Sequence, residues 1–408
     1  MGILVEMVDL TLVMPPAPNL ENPLMYYHLG VLYLASVARE AGYSVVIDDL
    51  RDKEADYRLI TPAKFTGFSA TSGQYEMCKQ MASKLKNTTT ILGGPHSSLL
   101  LNGVEGFDVA VAGEGEYIIL DILKGLRGKH TTQRITNLDD LPFPAWDLLE
   151  PDRCFSRELF PGERYGQGAR GATIIGSRGC PYQCNFCGNM LSKPVVYRSS
   201  NNITGEIREL IKHFNIHYFR LEDDNITLNK HWIWQLCKEL SNLHITFKCH
   251  TRTDLVDQAS LWALKEAGCQ EIGLGIESWD IDVLKLNDKK QTIEQCISAI
   301  QMIHQANMRV KIYLIAGLPG ETDRTVNLNK YYTKLTHPDK WTLARFTPYP
   351  GCAIWKKPEK FGVIHIDRDS YKNFWNFYEH PSYELVGVSK TLLDKRYQEL
   401  YQWLSTNL

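Results

Sequence analysis

From residue 8 to about residue 127, short apolar and β-branched runs alternate with stretches in which apolar residues recur every three or four positions. The runs at 8–14, 44–48, 65–69, 89–92 and 109–112 predict strands, and the stretches at 31–40, 75–86 and 117–126 predict helices. Strands that alternate with helices imply a parallel sheet covered on both faces. Residues 1–127 are therefore expected to form an α/β domain of flavodoxin-like or Rossmann-like type. The segment 50–64 is short for a full second helix.

Several of these strands end in small-residue clusters: Ser69-Ala70-Thr71-Ser72-Gly73, Gly93-Gly94-Pro95-His96 and Gly113-Glu114-Gly115-Glu116. Open parallel sheets bind ligands at such carboxyl-end loops. The alternation lapses over 128–171, which is rich in Pro, Gly and charge and includes Leu141-Pro142-Phe143-Pro144-Ala145-Trp146. That segment reads as an inter-domain linker with packed anchors of its own.

Alternation resumes with strands expected near 172–177, 217–221, 246–250, 271–276, 311–315 and 341–346. Six strand-helix steps suffice for a partial (β/α)6 TIM-type barrel over 172–351, with its site at the strand carboxyl ends. The remaining 352–408 form an aromatic-rich extension: Tyr371, Phe374, Trp375, Phe377, Tyr378, Tyr383, Tyr397, Tyr401 and Trp403. Aromatics at mixed helical spacing usually serve packing. Closure of the barrel's open side over a substrate is the alternative.

Composition narrows the partners. The 45 basic and 47 acidic residues nearly cancel, so no global field would hold nucleic acid, and a small-molecule substrate is expected. The first residues carry Glu6 and Asp9 without a basic start, unlike a signal peptide. Glu6 also argues against myristoylation at Gly2. No apolar run approaches the roughly 18 residues of a membrane span. The expected location is cytoplasmic, where ten cysteines more often mean metal ligands or core residues than disulfides.

Their spacing decides which. Gly176-Ser177-Arg178-Gly179-Cys180-Pro181-Tyr182-Gln183-Cys184-Asn185-Phe186-Cys187 follows directly on the first strand of the second domain. At this cysteine frequency a C-x3-C-x2-C pattern arises by chance roughly 0.006 times per chain. Three soft thiolates can hold three irons of a cubane and leave the fourth open to a substrate. A structural zinc site usually wants a fourth ligand, and three reduced core cysteines would need no such spacing. Cys78, Cys154, Cys237, Cys249, Cys269 and Cys296 read as core; Cys352, after the last barrel strand, reads as packing or as a residue facing substrate.

The loop, with aromatic Phe186 before its third cysteine, resembles that of the radical S-adenosylmethionine (SAM) superfamily, and the resemblance runs through most of 172–351. It implies a [4Fe-4S] cluster on Cys180, Cys184 and Cys187 whose open iron chelates the methionine moiety of SAM, giving a 5′-deoxyadenosyl radical on reduction. An external one-electron reductant such as flavodoxin or ferredoxin follows from that chemistry.

The same resemblance puts Leu221-Glu222-Asp223-Asp224-Asn225 at the barrel mouth, with Glu222 near the cofactor. The other reading of this segment is a helix-entry cap by Asp224 or Asn225. Glu277, in Gly275-Ile276-Glu277-Ser278, would bind the ribose hydroxyls. Arg252 would pair with the cofactor carboxylate or form a structural ion pair. Leu314 and Gly317, within Lys311-Ile312-Tyr313-Leu314-Ile315-Ala316-Gly317-Leu318-Pro319-Gly320-Glu321, would present backbone to adenine.

The front domain, over roughly 12–126, resembles the cobalamin-binding domain of cobalamin-dependent radical enzymes. Its echoes are Pro15-Pro16, the run from His28 to Ala35, Ser69-Ala70-Thr71, Gly93-Gly94-Pro95-His96 and Gly113-Glu114-Gly115-Glu116. The D-x-H-x-x-G loop whose histidine ligates cobalt is absent, so cobalamin would lack a histidine below the metal. Its contacts would be Ser69, Thr71, Gly93, Gly94, His96, Gly113 and Glu114, with His28 read as a packed or capping residue.

The activity implied is methyl transfer from cobalamin to an unactivated carbon of a small molecule or biosynthetic intermediate. One rival is a radical enzyme that rearranges, cyclises, dehydrates or reduces its substrate beside a vestigial front domain. Another is a non-enzymatic iron-sulfur carrier or sensor, which leaves the barrel-end motifs unexplained.

Overall fold

The computed structural model describes residues 7–20, 22–25, 27–155, 170–188, 191, 194–368, 371 and 380–408. It divides into two compact units, Met1–Phe160 with Arg368–Lys372, and Pro161–Asp367 with Asn373–Leu408.

In the first unit β1 (Val8–Met14), β2 (Val45–Asp49), β3 (Ala63–Ser69), β4 (Thr89–Gly93), β5 (Val109–Ala112) and β6 (Gly128–Thr131) pair throughout in parallel, in the order β2-β1-β3-β4-β5-β6. This is the flavodoxin-like order, whose switch point lies between β1 and β3. Val13, Leu50, Phe68, Leu92, Tyr75, Cys78 and Met81 pack together in its core. Each such burial stabilises by roughly 1.5–3 kcal/mol. Between β2 and β3 the chain makes one 3-10 turn, Tyr57–Leu59, capped by Asp56, where the short segment left no room for a helix. β6 extends the sheet into the segment read from sequence as the start of the linker. Its Gly-Lys-His-Thr text is polar because it is a solvent-facing edge strand.

The second unit starts with β7 (Arg170–Ile174), then a two-residue ladder of β8 (Ser177–Arg178) and β9 (Val196–Tyr197). β10 (Ile216–Leu221), β11 (Thr246–Thr251), β12 (Cys269–Glu277), β13 (Arg309–Ala316) and β14 (Lys340–Arg345) follow. With β7 they form a parallel sheet in simple sequence order, which is the winding of a half-barrel. Period-two burial shows its two faces. On β13, Val310, Ile312, Leu314 and Ala316 are buried, while Arg309, Lys311, Tyr313 and Ile315 stay partly exposed on the other face.

The extension forms β15 (Val363–Ile366), paired antiparallel with β16 (Tyr383–Leu385), and the helix Lys390–Asn407. Its described aromatics pack: Tyr383 lies edge-on to Phe346, and the Arg345 guanidinium stands 3.7 Å over the Tyr397 ring. Tyr371 belongs instead to the first unit, against Tyr75 and His96. Phe374, Trp375, Phe377 and Tyr378 lie outside the described residues.

Candidate active site at the half-barrel mouth

The cysteine loop is held from both sides before any metal is considered. Gly176 approaches Trp232 and Ile203 so closely that a Cβ would stand 3.0 Å from the indole. Gly179 turns the chain at φ +105°, a region that favours glycine. Cys187 N–H donates to the Cys184 carbonyl at 3.0 Å. Asn185, between these two cysteines, ties the loop to the helix Ile281–Leu286: its N–H donates to Asn287 O at 2.9 Å and its amide to Leu286 O at 3.0 Å. Phe186 stands in the same turn, part-buried.

The three thiols share one recess. Cys187 is solvent-exposed, yet burial among its neighbours pushes its thiol up to about 12, with Cys184, Asp224, Cys180 and Glu277 adding negative charge around it. Burial also raises Cys180 and Cys184. Among the described residues no three His, Cys, Asp or Glu side chains converge as on a single ion. Two donors already aim at sulfur: the Asn225 amide at Cys180 Sγ, 3.2 Å, and Arg252 Nη1 at Cys184 Sγ, 3.8 Å. Such hydrogen bonds stabilise thiolate charge and tune a cluster's potential. The donor set therefore fits a thiolate-held cluster.

Arg252, at the end of β11, also uses its fork inside the protein. It donates to both Asp254 carboxylate oxygens at 2.8 and 3.2 Å and to Lys289 O at 2.7 Å, and it lies 3.8 Å over the Tyr182 ring. It thereby clamps the cysteine loop to the segment after the helix Ile281–Leu286. Lys289, which the sequence reading did not single out, sends its ammonium to Glu277 Oε1 at 2.8 Å, both side chains being largely buried. Glu277 ends β12 in a left-handed conformation, φ +64°. A non-glycine residue held there signals a functional constraint. Two residues before it, a Cβ on Gly275 would stand 2.5 Å from its carboxylate.

The acidic segment after β10 splits into separate tasks. Burial would raise Glu222, but His250 and Arg220 outweigh it and hold its carboxyl down to about 2. Asp223 is buried and pushed up to about 6; it accepts from Ser177 Oγ and Gly176 N–H, fixing the start of the cysteine loop. Asn229 caps the next helix, Lys230–Leu240, so the proposed capping by Asp224 or Asn225 is not what the chain uses. Asp224 is left facing the recess.

Leu314 is buried in β13, opposite Glu277 in the ladder. Gly317, φ +83°, has both backbone polar atoms engaged: its N–H donates to Glu321 Oε2 at 2.8 Å and its carbonyl accepts from Tyr383. A Cβ there would strike the Tyr383 hydroxyl.

In the first unit the glycine-rich loops stand at strand carboxyl ends. Ser69 ends β3, Thr71 hydrogen-bonds Gln74, and Gln74 reaches across to the Pro15 and Pro16 carbonyls at 3.1 and 3.0 Å, bridging the β1 and β3 loops. Gly94, φ +89°, packs so tightly that a Cβ would stand 2.8 Å from Ser69 Oγ, whereas Gly93 has open space above it. His96 is buried, stacked on Tyr75, with Nδ1 on Ser72 and no partner for Nε2 among the described residues. Gly113 packs on Thr132, and Glu114 is held by Arg134 and the Ile135 N–H. His28 keeps company with Arg51 and Asp49 at the end of the β2 edge strand; burial, with Arg51 adding to it, pushes its imidazole down to about 4.

The chain is similar to several known proteins. Among curated relatives, an uncharacterized methyltransferase of Pyrococcus horikoshii is 27% identical over 368 residues, covering 80% of this chain and 77% of the relative. The anaerobic magnesium-protoporphyrin IX monomethyl ester cyclase of Rubrivivax gelatinosus is 26% identical over 364 residues, 78% of this chain and 64% of that enzyme. The fold is shared with the radical SAM methyltransferase TsrM of Kitasatospora setae, solved with cobalamin and a [4Fe-4S] cluster: TM-score 0.65, 15% identity, 91% of this chain and 85% of that one. No described helix is long and apolar enough to cross a membrane. The radical SAM superfamily model matches residues 174–328, the span that holds the cysteine loop, Arg252 and Glu277.

Proposed function

We propose that this chain is a cobalamin-dependent radical SAM methyltransferase acting on an unactivated carbon of a small molecule. The observation that carries the reading is the pairing, in one chain, of the cysteine recess with a flavodoxin-ordered sheet whose β1 loop brings no histidine to the switch point. The bound groups supply an electron that splits SAM and a carrier for the methyl group. The chain's own work is positional. Cys180, Cys184 and Cys187 hold the cluster, Asn225 and Arg252 stabilise sulfur charge, and Lys289 fixes Glu277 so that its carboxylate can take ribose hydroxyls. Leu314 and Gly317 shape the adenine end, where Gly317 leaves little free backbone for hydrogen bonding. Ser69, Thr71, Gly93 and Gly94 form the cobalamin-side loops, Gly93 supplying the open surface; His96, Gly113 and Glu114 brace them. A cytoplasmic setting with flavodoxin or ferredoxin as reductant and no nucleic-acid partner completes the reading.

The cyclase among the relatives favours one rival, radical chemistry without methyl transfer. Anaerobic reconstitution with iron, sulfide and hydroxocobalamin, followed by reductant and SAM, separates them. The methyltransferase should retain cobalamin through gel filtration and release both 5′-deoxyadenosine and S-adenosylhomocysteine. Only 5′-deoxyadenosine, with cobalamin lost, would assign the rival. Cys184→Ala should lose the cluster absorbance near ~400 nm; four irons and SAM cleavage persisting in it would remove the cluster assignment itself.

A further inference from the structure

The cysteine loop reaches the surface at Cys187, which is solvent-exposed. Asn185, two residues before it, is where two short helices meet the loop. On one side its N–H and side-chain amide donate to the Asn287 and Leu286 carbonyls; on the other its carbonyl accepts from the Ile354 N–H at 3.3 Å. Both helices bury one face and turn lysines outward. In Ile281–Leu286, Val283 and Leu284 are buried, while Lys285 and Leu286 are exposed, the leucine at 40%. In Ala353–Lys356, Ile354 and Trp355 are buried, while Lys356 is exposed, followed by exposed Lys357 and Lys360. Lys285 is thus the direct neighbour of one Asn185 contact, and Lys356 stands two residues from the other.

Exposed charge on a helix is most often a balanced, solvated face. Here the balance fails. Asp282 is taken by Arg324 at 3.2 Å, Asp288 by Lys290 at 3.5 Å, and Asp323 by Arg396 at 2.8 Å. Lys285, Lys356, Lys357 and Lys360 have no ion-pair partner among the described residues. The one further acid of 281–290 and 353–360, Glu359, is itself exposed and leaves a positive excess. The whole chain carries a net charge of -2, so the excess is local and does not reflect a generally basic surface.

We propose that Lys285, Lys356, Lys357 and Lys360, on the two helices that flank Asn185, form the docking surface for an acidic one-electron carrier protein of flavodoxin type, which delivers its electron at the exposed edge of the cysteine loop. Redox encounters bury little area, so complementary charge rather than a large apolar patch supplies their rate and orientation. A field of one sign raises association rates roughly 10- to 1000-fold. Leu286 gives the surface a small apolar centre. One electron passes from the flavin hydroquinone, which becomes the semiquinone, to the oxidised cluster, and no bond is made or broken. The inference rests on the radical SAM reading and names where the reductant of that same site binds.

The test uses the full chain, anaerobically reconstituted, with oxidised flavodoxin and a water-soluble carbodiimide, which condenses a lysine with a partner carboxylate into an amide with loss of water. Peptide mass spectrometry should find cross-links on Lys285, Lys356, Lys357 and Lys360 at roughly tenfold the yield on Lys212, Lys238 and Lys334, exposed lysines of other helices. Raising salt from about 0.01 M to about 1 M, which shortens the screening length from roughly 30 Å to roughly 3 Å, should abolish the preference. Stopped-flow appearance of semiquinone from flavodoxin hydroquinone should slow about tenfold or more in the triple variant Lys285→Glu, Lys356→Glu, Lys357→Glu. It should change little in Lys212→Glu, Lys238→Glu, Lys334→Glu, which alters net charge equally. Dithionite, too small to need docking, should still reduce the first triple variant and so show its cluster intact. Cross-links spread evenly over both lysine sets, no electron transfer from flavodoxin to the native chain, or equal flavodoxin rates in the two triple variants overturns the surface. Dithionite also reports the underlying reading separately. Cluster bleaching and 5′-deoxyadenosine release by dithionite, beside unaltered flavodoxin kinetics in the first triple variant, sinks the surface alone; a native chain that dithionite cannot reduce sinks the radical chemistry and the surface with it.

Discussion

The two parallel sheets place loops of similar text, rich in Gly, Ser and acid, at their carboxyl ends, but they use the polar groups differently. In the first unit those groups are largely spent on the fold: Glu114 on Arg134 and Ile135, Gln74 on Pro15 and Pro16, Thr71 on Gln74. What remains open is backbone, above Gly93. In the half-barrel the polar groups converge: thiols, Asp224, Glu277 and the Arg252 fork surround one recess. A large neutral ligand can be gripped by shape and backbone, whereas a cluster and a sulfonium need placed charge. The difference explains why the second site was the more readable one, since charge-bearing residues announce themselves in sequence and open backbone does not.

The largest effect expected on that contrast comes from Glu277→Gln. If the half-barrel charges serve ligand rather than fold, the variant should keep its cluster and bind SAM about 1.5–3 kcal/mol more weakly, roughly tenfold to a hundredfold in Kd. Calorimetry on the reconstituted protein measures it. Because Lys289 is left without its carboxylate, Lys289→Met should weaken SAM in the same direction. An unchanged Kd in Glu277→Gln would mean that the Glu277–Lys289 pair is structural, and the two sheets would then differ less than their chemistry suggests.

Much of this architecture was legible. The strand runs at 8–14 and 109–112 match β1 and β5 to the residue, and the six half-barrel strands fall within a few positions of their expected places. Periodicity carries that far because both sheets are covered by helices, so core positions must be apolar. β6 was missed because an edge strand needs no apolar face. Lys289 was missed for another reason: it follows a short helix and meets Glu277 twelve residues away only through the fold, so no local spacing reveals it. Arg252 was seen, but its partners Asp254, Tyr182 and the Lys289 carbonyl were not, since a planar fork advertises a ligand without naming it.

A smaller effect concerns a half-barrel acid that serves the fold. Glu321 is buried, and burial lifts its carboxyl from the ordinary 4.5 to about 7 despite the Gly317 N–H and Arg396. A raised folded-state value means the folded protein holds the proton more tightly than the unfolded chain. That contribution is complete below about pH 4.5 and is lost as pH rises through 7. Relative to Glu321→Gln, the native chain should lose stability across this window, on the order of 2 kcal/mol. Thermal melts of both proteins between these pH values test it. Parallel curves would show that Glu321 is not titrating, and would return its carboxylate to the set of charges available to ligand.

The smallest effect, an expected absence of one, bears on the first sheet. His28 directly precedes the helix Leu29–Glu40, at the N-cap position. Its neighbours argue against a metal there. It lies with Arg51 and Asp49 at the end of the outer strand β2, while the crevice opens between β1 and β3, where Gln74 joins the two loops. A buried guanidinium beside the ring also disfavours a second cation there. Cobalt held in this sheet should therefore have no nitrogen below it, and its Co(II) paramagnetic spectrum should lack nitrogen superhyperfine splitting. His28→Ala should bind cobalamin with the same spectrum as the native chain. Splitting that is present in the native protein and vanishes in His28→Ala would make His28 the ligand and bring placed chemistry into the first sheet, ending the contrast between the two. Cobalamin lost equally from both proteins on anaerobic gel filtration would go further, leaving the sheet as a fold without its ligand and moving the chain to the non-methylating reading.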